Sequence, residues 1–330
     1  MSLSVIIPAR NAAATIGDQL SALSMQDWDE SWEVIVVDNG STDGTPELAA
    51  RFQGSIPHLR TLDTGPKAGP GRARNTGIGA ARSDHLAFTD ADDIVGAEWV
   101  SNMARALRRS PVVCGRLEYQ RLNSPHLVRQ CGRPQSAGLQ RTWYPPRLPH
   151  GSGCNLGARR AALERVGGFD EELPCLTDTD LCLRLQAAGL RLEYVAGAVV
   201  HYRWRRTEAG AFRQAQKWAH INTRLYRDHT SRGDRVGSWL GHAKDWLRMA
   251  AKLPKLRDPV RRGQVIRAGG HQVGLLVGAL RFGVAPLPAR VPHSPIPVPA
   301  GSHEEWNARA EEPAHGATDE TDREAVSPLG

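Results

Sequence analysis

Three carboxylates crowd the end of one short predicted strand: His85 to Thr89 leads straight into Asp90-Ala91-Asp92-Asp93. Alternating carboxylates at a strand end can hold a hard divalent cation, Mg2+ or Mn2+. Such a cation commonly takes further oxygens from a substrate diphosphate. In open α/β sheets ligands collect beyond the carboxyl ends of the strands, where this Asp-x-Asp would fall. A solvated acidic turn has the same composition, so the motif alone is weak.

Three other clusters add to it. Asp38-Asn39-Gly40-Ser41-Thr42-Asp43 follows the apolar run Val34 to Val37. A short acid or amide there can bond a nucleobase or ribose edge, and can equally make an Asx turn before the next helix. Gly69-Pro70-Gly71-Arg72-Ala73-Arg74-Asn75-Thr76-Gly77 is basic and rich in glycine. Arg74 stands where a dinucleotide fingerprint has its third glycine, and two strand–helix units precede the stretch, which sets an NAD site aside. A basic Gly-rich loop at a helix start still suits phosphate. Last, Gly167-Gly168-Phe169-Asp170-Glu171-Glu172 leads to Thr177-Asp178-Thr179-Asp180-Leu181. Asp178 and Asp180 there are either favoured by the helix dipole or supply a general base for a hydroxyl. His201, in Val199-Val200-His201-Tyr202, is a further metal or phosphate ligand or an exposed strand-end histidine.

The elements that must position these groups read as α/β. Leu3 to Ile7, ended by Pro8, and Val34 to Val37 are buried-strand runs. Between them Asn11 can cap a helix carrying Ile16, Leu20 and Leu23, and Pro46 can open the next one. Strand–helix–strand–helix at this spacing predicts a parallel sheet. Helices are expected over Arg159 to Val166, Asp178 to Ala188 with Gly189 as its stop, and Glu208 to about Asp228. Short strands are expected at Leu192 to Val195 and Ala198 to Tyr202. Residues 110–150 show few periodic signals.

Length and composition bound the rest. The 330 residues allow one large or two ordinary domains, and 40% hydrophobic content supports a packed core. No eighteen-residue apolar stretch exists, and Met1-Ser2-Leu3-Ser4 has no signal-peptide character, so a cytoplasmic place is expected. Five cysteines without a C-x-x-C pair favour reduced thiols. Residues 304–330 hold eight acidic and two basic side chains, and 1–303 hold 40 basic and 27 acidic. A basic body favours anionic partners. Nucleic acid has no motif behind it. Residues 286–330, Pro-rich and then acidic, are expected to be a disordered tail. In 232–284, eleven cationic residues alternate with Trp239, Leu240, Trp246, Leu247 and Leu275-Leu276-Val277. That pattern fits an interfacial helix on an anionic leaflet or a cationic helical extension packed on the rest.

The clusters together carry a resemblance. Val5-Ile6-Ile7-Pro8-Ala9-Arg10-Asn11, Val36-Val37-Asp38-Asn39-Gly40-Ser41-Thr42-Asp43, Gly71-Arg72-Ala73-Arg74-Asn75, Phe88-Thr89-Asp90-Ala91-Asp92-Asp93, Gly167-Gly168-Phe169-Asp170-Glu171 and Asp178-Thr179-Asp180-Leu181 occur in an order that resembles the family 2 glycosyltransferases. The resemblance covers about 1–230 and implies a GT-A type, Rossmann-like sheet with flanking helices, followed by a basic helical extension over 231–285. It implies a metal-dependent, inverting transfer from a nucleotide-sugar donor to a carbohydrate or lipid-linked acceptor, with Mn2+ or Mg2+ as cofactor. Pro8, Asp38 and Asn39 would line the nucleoside pocket. Arg74 and Asn155 would lie on the donor side, and Asp90 would approach the ribose. Asp92, with His201, would hold the metal. Asp178 would be the base and Asp180 its supporting neighbour. Thr177 stands where many relatives have Glu, and Asn39 where many have Asp. Gln214-Ala215-Gln216-Lys217-Trp218 is similar to the Gln-x-x-Arg-Trp motif of processive synthases, with Lys for Arg, and is more simply a packing face. A sugar-nucleotide nucleotidyltransferase or a non-catalytic protein on this fold are the alternatives.

Overall fold

The computed structural model describes residues 1–288 apart from Pro57, 66–68 and 252–255. The first strands are almost wholly apolar because both of their faces are covered. β1 (Leu3–Ala9) and β2 (Trp32–Asp38) pair in parallel over their full length, and α1 (Ile16–Ser24) joins them. Asn11 does not cap α1. It adopts φ 48°, which Asn tolerates better than most residues, and its Oδ1 accepts from the Thr42 N–H at 2.9 Å. α2 (Thr45–Ala50) leads to β3 (Arg60–Asp63), which extends the parallel sheet beyond β2.

The Gly-rich stretch is not a loop. It forms α3 (Gly69–Ala80), which lies on β1 and β2. A Cβ at Gly77 would run into Ile6 Cγ2, so glycine lets this helix sit flush on the central strand. β4 (His85–Phe88) then pairs with β1 on the side opposite β2. Its ladder with β1 stops at Ile6, two residues before Pro8, so the missing proline N–H removes no bond there. The chain has now placed strands on both sides of β1. That change of direction is the point where doubly wound sheets open a crevice at their carboxyl ends.

The second half departs from the expected parallel sheet. After β5 (Ile94–Val95) and α4 (Trp99–Arg109) come β6 (Val112–Glu118), α5 (Pro125–Cys131), and the two-residue strands β7 (Gln140–Arg141) and β8 (Pro149–His150). β9 (Leu156–Arg159) inserts antiparallel between β4 and β6. α6 (Arg160–Arg165) and α7 (Thr177–Ala187) follow, close to their expected bounds. β10 (Glu193–His201) is one strand where two were expected. A register break between Val195 and Val199 explains the two-part pattern. The resulting eight-stranded order is β3-β2-β1-β4-β9-β6-β10-β5.

Three helices close the described chain: α8 (Glu208–His229), α9 (Trp239–Ala250) and α10 (Pro259–Phe282). Gly270, Gly274 and Gly278 recur every four residues along α10. A Cβ on any of them would meet α8, at Phe212, Gln216 and Thr223 in turn. Two helix backbones therefore lie in contact along one glycine seam. Leu275, Val284 and Leu287 share a core with Tyr144, Leu173, Leu225 and Tyr226. The ordered chain reaches past the expected tail boundary: Pro286 O accepts from the Ser238 N–H, and Leu287 is fully buried. The rest of the expected disordered tail, from 289 on, lies outside the described residues.

Candidate active site

The nucleoside side is built at the ends of β1 and β2. Asp38 is buried and its Oδ2 accepts from the Ser41 N–H at 3.0 Å, the Asx turn that the composition allowed. The next residue, Asn39, is tied to β1 through its N–H to Ala9 O at 2.9 Å. Asp38 Oδ1 and Asn39 Oδ1 are both buried without a hydrogen-bond partner. Unpartnered buried acceptors are costly unless a ligand donates to them, and a nucleobase or ribose edge carries such donors. Pro8 stands beside them, half-buried, paired with Val37.

The aspartates that follow β4 are held from several elements. Gln19 of α1 donates to Thr89 Oγ1 at 2.8 Å and to Asp90 O at 3.2 Å, and accepts from the Val95 N–H, so one amide clamps both ends of the turn. Arg74 of α3 is buried and donates to Asp90 Oδ1 at 2.9 Å and to Thr177 Oγ1 at 3.2 Å. It lies over the Phe169 ring, 5.4 Å from the centroid. Asp92 accepts through its carbonyl from Arg203 Nε at 2.8 Å, and its Oδ2 lies 3.2 Å from Arg205 Nη1. Asp93 is fully buried. Its Oδ1 accepts from the Arg203 N–H, and its Oδ2 has no partner.

This is an excess of negative charge in a small volume. Burial pushes the Asp90 carboxyl above its usual range. Arg74 works against that, and the neighbouring Asp92 and Asp178 push it further up. Burial, then Asp92 and Asp90, raise Asp93 well above the carboxylate range. Asp90, Asp93 and the buried Cys154 each offer a ligand atom within 4.8 Å of the other two. Clustered carboxylates that raise one another, with an orphan oxygen among them, fit a divalent cation.

The base side is the first turn of α7, entered through Leu176 at φ 56°. Asp178 Oδ2 accepts from the Gly153 N–H at 2.6 Å and Oδ1 from the Thr179 N–H at 2.8 Å. Asp180 has a different environment. Burial alone would raise its carboxyl, but hydrogen bonds from His229 Nε2 (3.1 Å) and Arg184 Nε (2.8 Å) outweigh burial and hold it below the usual value. A carboxylate held that way is a poor proton acceptor. It ties α7 to the end of α8 and so supports the turn that carries Asp178.

Two expected site residues are engaged by other parts of the chain. Asn155 is fully buried between strands. Its Oδ1 accepts from Trp99 Nε1 and its Nδ2 donates to Arg116 O and Ala198 O, so its capacity is spent inside the sheet, not on a donor. His201 turns its Nδ1 to Glu118 at 2.7 Å, and its Nε2 lies 3.4 Å from Arg121 Nη1. Neither it nor Asp92, whose carboxylate pairs with Arg205, is in the Asp90–Asp93–Cys154 group. Gln19, Cys154, Arg203 and Arg205 join the aspartates without any sequence signal. No local pattern marks them, since each reaches the aspartates from a distant segment. Ala219, within the Gln214–Trp218 neighbourhood, is buried against α10, in line with a packing face.

A mixed sheet in this order, with buried unpartnered acceptors, an Asp-x-Asp and a helix-borne carboxylate at one end, has the architecture of the GT-A glycosyltransferases. The chain belongs to the family 2 glycosyltransferases: the family model described as Glycosyl transferase family 2 matches residues 4–167, and Glycosyl transferase family group 2 matches residues 86–252. It is 30% identical over 213 residues to the pre-mycofactocin glycosyltransferase of Mycobacterium tuberculosis, covering 60% of this chain and 42% of that one. It is 30% identical over 195 residues to the glycosyltransferase AglE of Haloferax volcanii, covering 58% and 64%. The chain thus spans less than two thirds of these relatives. The mannosyltransferase PcManGT of Pyrobaculum calidifontis, solved with GDP-Man and Mn2+, shares the fold at a TM-score of 0.61, with 21% identity, over 84% of this chain and 87% of that one.

Proposed function

We propose that this glycosyltransferase moves a sugar from a nucleoside-diphospho-sugar to an acceptor hydroxyl, with inversion, using a divalent cation. The observation that carries this reading is the Arg74 guanidinium, which bonds Asp90 on one side and Thr177, next to Asp178, on the other. It brings a general base into the field of the Asp-x-Asp. Asp38 and Asn39 accept from the nucleoside. Asp90 meets the ribose, steadied by Arg74 and Gln19. Asp178 takes the proton of the acceptor hydroxyl as its oxygen bonds to the anomeric carbon. The carbon–oxygen bond to the β-phosphate breaks on the opposite face and its electron pair leaves with the nucleoside diphosphate, so no covalent enzyme intermediate forms. Asp92, with Asp90 or Asp93 beside it, would hold a Mn2+ or Mg2+, which would supply Lewis-acid charge for that leaving group. Incubation with a panel of sugar nucleotides should release one nucleoside diphosphate above the others, with release lost in EDTA and restored by Mn2+. Release that is the same with and without cation sinks the metal; no release from any donor sinks the reading.

The acceptor is assigned to envelope polysaccharide or glycolipid, at a membrane face. Among the described residues no helix is long and apolar enough to cross a membrane. On α9, however, Trp239, Leu240 and Leu247 point outward at 52, 66 and 71% exposure, and Lys244 and Arg248 are exposed on the same helix. Residues 231–288 carry eleven basic and three acidic side chains. Apolar side chains flanked by cations match an anionic leaflet, where each cation near the surface contributes about 1 kcal/mol. In flotation, the protein should rise with anionic vesicles at low salt, less so at high salt, and not with neutral ones. Equal flotation with neutral vesicles, or none with either, rejects the assignment.

A further inference from the structure

Two cavities flank α5, and the segments around them are ones in which the sequence showed little pattern. The first, of about 470 Å3, is walled by 122–130, by the start of α8, and by Pro259 and Arg262 at the start of α10. It begins one side chain away from the Asp-x-Asp: Arg205 lines it and also lies 3.2 Å from Asp92 Oδ2. Its charged lining is Arg205, Arg206 and Arg262 against Glu208, with Arg262 paired to Glu208 at 2.7 Å and Arg205 to Asp92 at 3.2 Å, so Arg206 is the cation of the lining without an acidic partner among the described residues. The second cavity, of about 630 Å3, lies across α5, shares Asn123, and adds Arg129 and Arg133 with no acid. α8 and α10 both start in the wall of the first cavity, the one capped by the Thr207 hydroxyl and the other by the Asp258 carboxylate.

This lining selects against a neutral acceptor. Neutral sugars are held by carboxylates, amides and flat aromatic rings; the walls offer the amides Gln120, Asn123 and Gln130, but no Phe, Tyr or Trp, and their one carboxylate, Glu208, is paired with Arg262. Guanidinium groups match phosphate, to which they donate in pairs. We propose that the cavity between α5 and the starts of α8 and α10 binds a phosphate group of the acceptor, so that the substrate class is a phosphorylated acceptor whose hydroxyl reaches Asp178 while its phosphate rests on Arg206 and Arg262. This rests on the transferase reading above. It adds to it the chemistry of the second substrate and a place for it beside the donor diphosphate.

The test uses the full chain with its donor site filled by Mg2+, UDP and GDP, whose binding is first measured on its own. Glycerol 3-phosphate is then titrated and followed by broadening of its own phosphorus resonance, with glycerol and glycerate titrated by competition. Glycerol 3-phosphate should bind, and the two analogues should bind at least tenfold more weakly. In Arg206→Gln/Arg262→Gln its Kd should rise at least tenfold, with nucleotide binding changed less than twofold. Arg206 is exposed and Arg262 half exposed, so the variant should keep its unfolding midpoint. Arg206→Lys should retain part of the binding. Short-chain phosphatidic acid separates the sources: tighter binding than glycerol 3-phosphate marks a lipid-borne phosphate, and equal binding a water-borne one. An unchanged Kd in the double variant, or glycerate bound as well as the phosphate, overturns the proposal. Absence of nucleotide binding overturns the donor reading instead and leaves the phosphate titration to be judged by itself.

Discussion

Asp178→Asn should lower kcat by about 10²–10⁴-fold while nucleotide affinity stays within about twofold. The amide has the shape of the carboxylate but cannot accept the hydroxyl proton. One side effect is foreseeable. The carboxylate accepts from two backbone N–H groups, Gly153 and Thr179, and an amide has one oxygen to offer. One of those bonds is lost, at about 1 kcal/mol of stability, too little to unfold the domain. Stopped-flow or steady-state turnover beside nucleotide titration separates the two effects. If affinity falls and kcat does not, Asp178 is a binding group. Asp180 would not then inherit the role of base, because Arg184 and His229 already hold its proton affinity down.

Asp92→Asn should weaken Mn2+-dependent nucleotide binding at least tenfold, about 1.4 kcal/mol, and remove most activity. One anionic ligand to a hard cation is gone, and the carboxylates that remain must hold the charge without it. The backbone at this position is fixed independently, by Arg203 Nε on the Asp92 carbonyl, so the turn should keep its shape. Cation-free nucleotide binding is the internal control and should move little. A variant with the wild-type Mn2+ dependence would remove Asp92 from the metal site. Freed from its partner, Arg205 would also be expected to leave the salt dependence of donor binding altered.

Much of the site was legible because it sits where strands end. Val34 to Val37 and Leu86 to Phe88 are apolar until the chain leaves the sheet, and the first carboxylates after them, Asp38 and Asp90, fall at the crevice by geometry. What could not be read depends on tertiary approach. The stretch from Gly69 looked like a loop because glycine disfavours helices; it is helical because Gly77 must lie against Ile6. The resemblance puts Asn155, between Cys154 and Leu156, on the donor side. Its short helical turn is sunk between β6 and β10, where an amide can satisfy two carbonyls and an indole at once. Cys154 and Asp93 are distant in sequence and become neighbours only because β9 inserts antiparallel next to β4.

The glycine seam between α8 and α10 bears on how far the chain can be shortened. Ending the protein before Pro259 would not trim an appendage. It would uncover about three turns of α8 backbone from Phe212 to Thr223, a surface shaped for glycines and for nothing larger. It would also strip Leu275, Val284 and Leu287 from Tyr144 and Leu173, which belong to the segments just before β8 and α7. The smallest stable unit therefore runs well beyond the residues that do the chemistry, and the α7 turn bearing Asp178 leans, through Leu173, on the far end of the described chain.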